Sequence, residues 1–380
     1  MDSSVCVIGG GVVGSATALA LTRRGVAVTV LEAEPALALA ASGTNSGILH
    51  TGFDSEPGML ETTLILRSAA LRDEVLDTLE IPVLRCGAVL RAHDTTQRRR
   101  IGALEANARI NGVAARLDDD ALVIPGETVT DPVAYTLALA AAAQAHGATL
   151  RTDARVTELQ STAGGVRVRC QDGTEMAASA AVNAAGLHAD DISVAAGQPR
   201  PAFRIYPRKG EFLVFEPPGG AVLAQILLPI PDANTKGVLV FPTLDAKVVA
   251  GPTAVDQEDK RDWSVRSEAQ AEICGKAPDL LPALAGAEPI ARYAGLRPAG
   301  VDVNYVIEPS TIVPGLLHVA AIRSTGLSAS LGIAEHVAGL LAARGVAMGE
   351  EEPLRRGGAP EPTGPWWRRS ADHWAAAAGS

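Results

Sequence analysis

The alternation of apolar runs and polar breaks predicts a β–α–β unit at the start of the chain. Residues 4–9 and 26–32 are short apolar runs typical of buried strands, and residues 15–24 between them read as a helix that Gly25 ends. Two buried strands joined by a helix within about 30 residues are parallel, with helices covering the sheet. The first part of the chain is therefore predicted to be α/β.

Further helices are predicted at residues 61–79, 95–111 and 131–146. The last of these has strong boundary signals, because Asp131 can cap its first turn and Pro132 is suited to the first helical position. Strand-like runs return between residues 204 and 252, where shorter alternating segments indicate antiparallel pairing.

Near the end of the chain, a buried strand at residues 316–322 leads into an apolar helix at 327–344. Parallel-type pieces thus occur at the start, middle and end, with antiparallel pieces between them. We therefore predict a nucleotide-binding domain interrupted by a second, substrate-binding domain. The predicted boundaries are 1–80, 145–200 and 306–346 for the first domain, 81–144 and 201–305 for the second, and 347–380 for a flexible tail.

The tail prediction rests on composition. From Gly345 the chain is rich in glycine, proline and charge, which disfavours an independent core. Trp366 and Trp367 could dock on the body or on a membrane surface, so peripheral membrane contact stays possible, but a mobile terminus is the favoured expectation.

A glycine-rich turn separates the first strand from the first helix. Gly9 allows the tight turn, Gly11 lets the backbone approach a pyrophosphate, and Gly14 permits close packing of helix on strand. Glu32 ends the second strand, where its carboxylate can accept hydrogen bonds from ribose hydroxyls. This pattern predicts a dinucleotide site, and by itself leaves NAD and FAD both open.

Composition narrows the function class. The formal net charge is −10, which argues against a nucleic-acid partner. The four cysteines are scattered without a CxxC pair, so no metal or iron–sulfur site is expected. No apolar stretch reaches about 18 residues, so no transmembrane segment is expected, and without a signal-peptide pattern the protein is expected to be cytoplasmic.

Two later segments favour FAD. The strand and turn at 182–186 (VNAAG) resemble the second nucleotide-contacting strand of glutathione-reductase-type flavoproteins. Residues 323–328 place a glycine-containing turn at a helix start, where such proteins bring a helix N-terminus towards the flavin. The predicted fold class is α/β: a glutathione-reductase-type Rossmann FAD-binding domain interleaved with an α+β substrate domain built on an antiparallel sheet.

With these segments in view, the chain resembles the D-amino-acid-oxidase-like superfamily of FAD enzymes over roughly residues 3–345. The resemblance is carried by 41–53 (ASGTNSGILHTGF), 293–298 (YAGLRP) and 322–330 (IRSTGLSAS). Residues 235–254 (TKGVLVFPTLDAKVVAGPTA) look specifically like the bacterial glycerol-3-phosphate dehydrogenases and oxidases. The L-2-hydroxyglutarate oxidases are near neighbours.

The resemblance implies roles for individual residues. His50 matches the catalytic base, and Lys236 and Arg297 match a cation clamp for an anionic substrate. Ser46 and Ser324 offer hydroxyl contacts to the substrate or the flavin, with turn capping as the alternative for both. The residues expected to contact FAD are Gly9, Gly11, Gly14, Glu32, Ser42, Val156, Ala185, Gly186, Arg323, Gly326 and Leu327. A histidine in a similar loop attaches FAD covalently in some relatives, which remains a minor alternative for His50.

The implied reaction is oxidation of a small anionic 2-hydroxy compound, with hydride transfer to flavin N5. Glycerol 3-phosphate, giving dihydroxyacetone phosphate, is the first expectation, and L-2-hydroxyglutarate or another 2-hydroxy acid is the second. Amine or amino-acid oxidation, and a non-catalytic nucleotide-binding module, stay open as alternatives. The electron acceptor is expected to be oxygen, a quinone or a protein.

Overall fold

A computed structural model describes residues 3–231, 237–369 and 372. Its helices, in chain order, are α1 Val12–Thr22, α2 Leu60–Thr78, α3 Thr95–Ile110, α4 Pro132–Ala145, α5 Ala189–Ala195, α6 Ser267–Leu280 and α7 Gly326–Ala343. Short 3-10 helices occur at Gly186–His188, Pro218–Gly220 and Pro282–Leu284.

The strands account for most of the remaining regular structure. In chain order they are β1 Ser4–Ile8, β2 Ala27–Leu31, β3 Ile48–Leu49, β4 Val83–Leu84, β5 Ala88–Arg91, β6 Arg116–Asp118, β7 Ala121–Ile124, β8 Thr128–Thr130, β9 Thr149–Arg151, β10 Val156–Thr162, β11 Gly165–Cys170, β12 Glu175–Ala178, β13 Ala180–Asn183, β14 Ile205–Phe215, β15 Ile226–Leu227, β16 Leu239–Pro242, β17 Val248–Gly251, β18 Val255–Asp256, β19 Ala291–Gly300, β20 Val306–Pro309 and β21 Leu316–Ala320.

The predicted β–α–β unit forms the centre of a parallel sheet. Within the described residues this sheet has the order β20-β21-β13-β1-β2-β9, with only the edge strand β20 antiparallel. Its strands come from the start, middle and end of the chain, as the hydrophobic pattern predicted. The strands are apolar on both faces because helices cover one side and the β10-β11-β12 sheet lies on the other.

Helix α4 corrects one predicted boundary. The sequence-based division placed residues 81–144 in the substrate domain, yet α4 packs on α1, and Tyr135 and Leu139 lie in the core of the parallel-sheet unit. The reason is topological. Strand β9 is parallel to β2, so the chain must cross over the sheet before β9, and α4 is the helix that covers this crossover.

A mainly antiparallel sheet forms the second layer. Its strand order is β18-β14-β17-β16-β15-β5-β7-β6, and β19 pairs with β14 along its whole length, from Ile205↔Gly300 to Val214↔Ala291. This long pair carries the predicted Arg297 opposite Arg208. Helix α6 covers one face of the sheet. The observed architecture confirms the predicted fold class.

The predicted flexible tail, 347–380, differs from the structure in its described part. Trp366 and Trp367 are 2% and 3% exposed. The Trp366 ring meets Tyr293 edge-on at 5.6 Å, and Arg369 pairs with Asp131 at 2.6 Å. Two large aromatic side chains bury enough apolar area to hold a segment that is otherwise poor in core residues.

Helix α7 is long and apolar enough, by length and composition, to span a membrane. It packs against α1 and α2, and 61% of its apolar window is buried inside the protein. These contacts are those of a core helix.

Candidate active site

The glycine turn between β1 and α1 has the close contacts that its sequence predicted. Gly9 has a φ of +110°, and a Cβ there would lie 2.5 Å from the carbonyl oxygen of Ala184. A Cβ on Gly14 would lie 1.9 Å from the carbonyl oxygen of Gly9. Larger residues at these two positions would force the turn apart, so both glycines are required by the backbone.

The N-terminus of α1 opens onto a cavity. Gly11 is the N-cap residue and provides no side-chain cap, while the Val12 amide donates to Ser42 Oγ at 2.9 Å. The positive end of a helix dipole and its free amides favour an anion such as a diphosphate. Ser42 therefore lies beside the part of the site suited to the phosphates of a dinucleotide.

Glu32 lies at the end of β2, against the same turn. Its Oε2 accepts from the Gly10 amide at 2.6 Å and its Oε1 accepts from the Glu34 amide at 2.9 Å. Burial raises the pKa of Glu32, and these two hydrogen bonds partly offset that effect. The amide donors fix the carboxylate at the cavity wall, where a ribose could reach it.

A single cavity of about 750 Å³ runs from Glu32 to the start of α7. The predicted cofactor residues that line it are Gly9, Gly11, Glu32, Ser42, Val156, Ala185, Gly186, Arg323, Gly326 and Leu327. Gly14 is absent from the wall because it packs under Gly9. The glycine cradle, the exposed helix start and the anchored carboxylate fit FAD, so this cavity could hold that cofactor.

The turn before α7 holds two predicted residues at the surface. Arg323 and Ser324 are exposed, and Arg323 Nε donates to Asn304 Oδ1 at 3.1 Å. Arg323 lines the cavity, while Ser324 makes no hydrogen bond within the described part of the chain. Arg323 thus lies at the cofactor end of α7, and nothing in these contacts assigns Ser324 a role.

His50 forms a hydrogen-bonded pair with Glu127, which the sequence analysis missed. Strands β3 and β8 pair antiparallel with Leu49 opposite Thr128, so the next residues along, His50 and Glu127, face each other. Nδ1 of His50 lies 2.8 Å from Glu127 Oε2. The imidazole is 29% exposed, whereas the carboxylate is fully buried.

The Glu127 carboxylate has further donors. Its Oε1 accepts from the amide and the hydroxyl of Thr51, at 2.7 and 2.8 Å. Arg72 then ties the two segments together: its guanidinium donates to the carbonyls of Leu49, His50 and Gly126. Burial lowers the pKa of Arg72, and the nearby charge of Glu127 opposes this change. The pair is therefore held rigidly from both sides.

The orientation of this pair decides which imidazole nitrogen can react. A carboxylate that accepts from Nδ1–H leaves the Nε2 lone pair free, and Nε2 makes no hydrogen bond within the described residues. The His50 amide donates to Ser328 Oγ at 2.8 Å, in the first turn of α7, where Gly326 and Leu327 line the cavity. His50 therefore lies beside the cofactor cavity.

Arg297 is partly buried on β19 and is held by backbone oxygens. Nε donates to the Arg208 carbonyl at 3.0 Å, and Nη2 donates to the carbonyls of Lys209 and Thr253 at 3.0 and 2.8 Å. Burial, aided by the nearby charge of Arg208, lowers the pKa of Arg297 to about 10. Among the described residues Nη1 has no acceptor, so it is the nitrogen available to an anion.

The remaining predicted substrate residues are less informative. Ser46 Oγ accepts from the Ile48 amide at 3.3 Å, which is a local turn contact. Lys236 lies outside the described residues.

A glycine turn on a parallel sheet, opening onto a cofactor-sized cavity beside a histidine–carboxylate pair, defines a nucleotide-dependent oxidoreductase. The chain belongs to the family of FAD-dependent oxidoreductases described as DAO, whose model matches residues 4–340. It is therefore an FAD-dependent enzyme.

Two relatives in sequence and one solved structure are among the proteins to which this chain is similar. A glycerol 3-phosphate dehydrogenase of Caloramator mitchellensis is 28% identical over 354 residues, covering 89% of this chain and 73% of that protein. An L-2-hydroxyglutarate dehydrogenase of Escherichia coli K12 is 29% identical over 281 residues, covering 68% and 66%. Among solved structures, the dithionite-reduced L-α-glycerophosphate oxidase of Mycoplasma pneumoniae with FAD bound superposes with a TM-score of 0.84 at 24% identity, covering 93% of this chain and 98% of that one.

Proposed function

We propose that this enzyme oxidises a small anionic 2-hydroxy compound, with glycerol 3-phosphate as the first candidate and L-2-hydroxyglutarate as the second. The His50–Glu127 pair beside the cavity is the observation that carries the proposal. An alcohol needs a base to remove its hydroxyl proton, whereas an amine can lose its proton to solvent before it reacts. An oriented imidazole therefore favours an alcohol over an amine.

In this proposal His50 Nε2 accepts the hydroxyl proton as the C–H bond at the same carbon breaks. Glu127 keeps the proton of the resting imidazole on Nδ1 and stabilises the positive charge that the ring gains. When bound, FAD supplies the acceptor for the hydride of the substrate carbon.

We assign the anionic group of the substrate to the cation at Arg297, through its available Nη1, with Lys236 as a second candidate. Three backbone acceptors fix the guanidinium plane before substrate arrives, so little side-chain entropy is lost on binding. Ser46 and Ser324 are retained as proposed hydroxyl contacts. The acceptor that reoxidises FAD is proposed to be oxygen, a quinone or a protein, and the cytoplasmic location stays a prediction.

Two variants test this arrangement. His50→Ala should keep FAD but reduce the flavin with glycerol 3-phosphate roughly 10²–10⁴-fold more slowly, while His93→Ala, at an exposed loop position, serves as the control. Unchanged flavin reduction in His50→Ala would remove this residue from the mechanism.

Arg297→Lys should raise KM for the anionic substrate more than it lowers kcat, because the charge stays but the guanidinium plane that orients Nη1 is lost. Arg292→Lys, at an exposed position of the same strand, is the matched control. Equal KM values in the two variants would contradict the clamp assignment.

A further inference from the structure

The segment between β18 and α6 crosses from the antiparallel sheet to the cofactor cavity. We call residues 257–266 the strap. Lys260, Arg261 and Trp263 of the strap line the same cavity as Glu32, Ser42 and the start of α7. The strap matches neither the glycine turn nor the catalytic loop, so no role for it is predicted from the sequence.

Two ion pairs, each with its β14 partner buried, anchor the strap to β14. Lys209, whose side chain is 2% exposed, pairs with Asp262 at 2.8 Å. Glu211 is fully buried and accepts from the amide and the guanidinium of Arg266 at 2.6 Å each. The two anchors fix the strap to the substrate-side sheet.

A third contact, made by Lys260, joins the strap to the parallel-sheet unit. Lys260 Nζ lies 2.6 Å from Asp190 Oδ1 and 3.3 Å from Asp191 Oδ2, at the start of α5. Asp190 is buried and also accepts from the Ile205 amide. Asp191 lines the cavity together with Lys260. The ion pairs of Lys260 therefore join the strap to the start of α5 at the wall of the cavity.

Arg261 adds a positive charge at the same place. Its side chain is exposed, and its guanidinium has no hydrogen bond or ion pair within the described residues. Arg261 therefore leaves a guanidinium on the wall of a cavity that is suited to a diphosphate. A guanidinium forms strong, charge-assisted hydrogen bonds with phosphate oxygens.

We propose that the strap is part of the FAD site: the Lys260–Asp190 pair latches it over the bound cofactor, and Arg261 contacts the diphosphate. This proposal uses only the FAD dependence of the enzyme and is independent of its substrate. It predicts that both residues control how long FAD stays bound.

Dilution of the purified holoprotein, followed by the recovery of flavin fluorescence, measures FAD release directly. Lys260→Met and Arg261→Gln should each release FAD about 2- to 5-fold faster, as expected for the loss of one partly exposed ionic contact. Added salt should speed release from the wild type more than from Arg261→Gln. Lys276→Met, which breaks a lysine–glutamate pair within α6, is the matched control and should behave like the wild type.

If Lys260→Met released FAD at the wild-type rate, the latch would be overturned. If Arg261→Gln released FAD at the wild-type rate, the diphosphate contact would be overturned. Because Arg261 is exposed and its guanidinium has no partner among the described residues, its variant separates a binding defect from a folding defect. The readout does not depend on any substrate, so failure of the proposed reaction would leave this test interpretable.

Discussion

Replacing Glu127 by glutamine isolates the contribution of the carboxylate to the chemistry. The change preserves shape and volume, and the new amide oxygen can still accept from Thr51. Its nitrogen, however, would face Nδ1 of His50 across the present 2.8 Å contact. The imidazole would then have to accept at Nδ1 and carry its proton on Nε2, the nitrogen proposed to act as the base.

The size of the effect follows from this contact. A hydrogen bond to a charged group is worth about 1.5–3 kcal/mol, which corresponds to roughly 10- to 150-fold in rate. The unfavourable tautomer adds to this loss, and the full contribution of a general base sets an upper limit of about 10⁴-fold. We therefore expect Glu127→Gln to slow flavin reduction by about 10²–10³-fold with little change in substrate affinity.

The assay is anaerobic stopped-flow reduction of bound FAD over a range of glycerol 3-phosphate concentrations, with FAD content checked first. Glu175→Gln is the control, because Glu175 forms an exposed ion pair with Arg169 across strands β11 and β12. Reduction of Glu127→Gln at a rate within about 3-fold of the wild type would refute the role of this carboxylate.

Three further predictions concern cofactor retention and stability. Gly14→Ala should abolish FAD retention on gel filtration, because the added Cβ meets backbone at 1.9 Å, whereas Gly102→Ala, with open space in α3, should retain FAD. Burial lowers the pKa of His318 to about 4, so the unfolded state binds the proton first as the pH falls. His318 should therefore lower the unfolding free energy by about 3 kcal/mol between pH 6.5 and 4, measured by urea titration. This contribution should persist in His93→Gln and be lost in His318→Gln. Trp366→Ala should lower the unfolding free energy by about 3–5 kcal/mol, and a loss below 1 kcal/mol would contradict the observed docking of the C-terminal segment.

The dinucleotide turn and the interleaved sheets could be predicted because both are encoded locally. Gly9, Gly11 and Gly14 act through backbone contacts within one turn, and apolar runs identify buried parallel strands without knowledge of their partners.

Glu127 and Arg72 could not be predicted in the same way. Each is a single residue, 77 and 22 positions from His50, and each acquires its role only through the pairing of β3 with β8. The one local signal for Glu127 is its isolation as an acid between the apolar strand β7 and the buried strand β8. Strand register, which follows from tertiary packing, decides such contacts.

The C-terminal segment shows the opposite error. Composition predicted a tail because glycine, proline and charge outnumber apolar residues there. Two tryptophans nevertheless help to dock its described part, because each buries a large apolar surface against Tyr293 and its neighbours. The average composition of a segment does not reveal one or two large side chains that dock it.

Anaerobic mixing of the holoprotein with a panel of candidate reductants tests the central claim most directly. The panel contains glycerol 3-phosphate, L-2-hydroxyglutarate, uncharged glycerol and glycine. We predict that the visible absorbance of the flavin bleaches with one of the two anionic 2-hydroxy compounds, and not with glycerol or glycine. Bleaching by glycine alone, or bleaching by glycerol as fast as by its phosphate, would contradict the account.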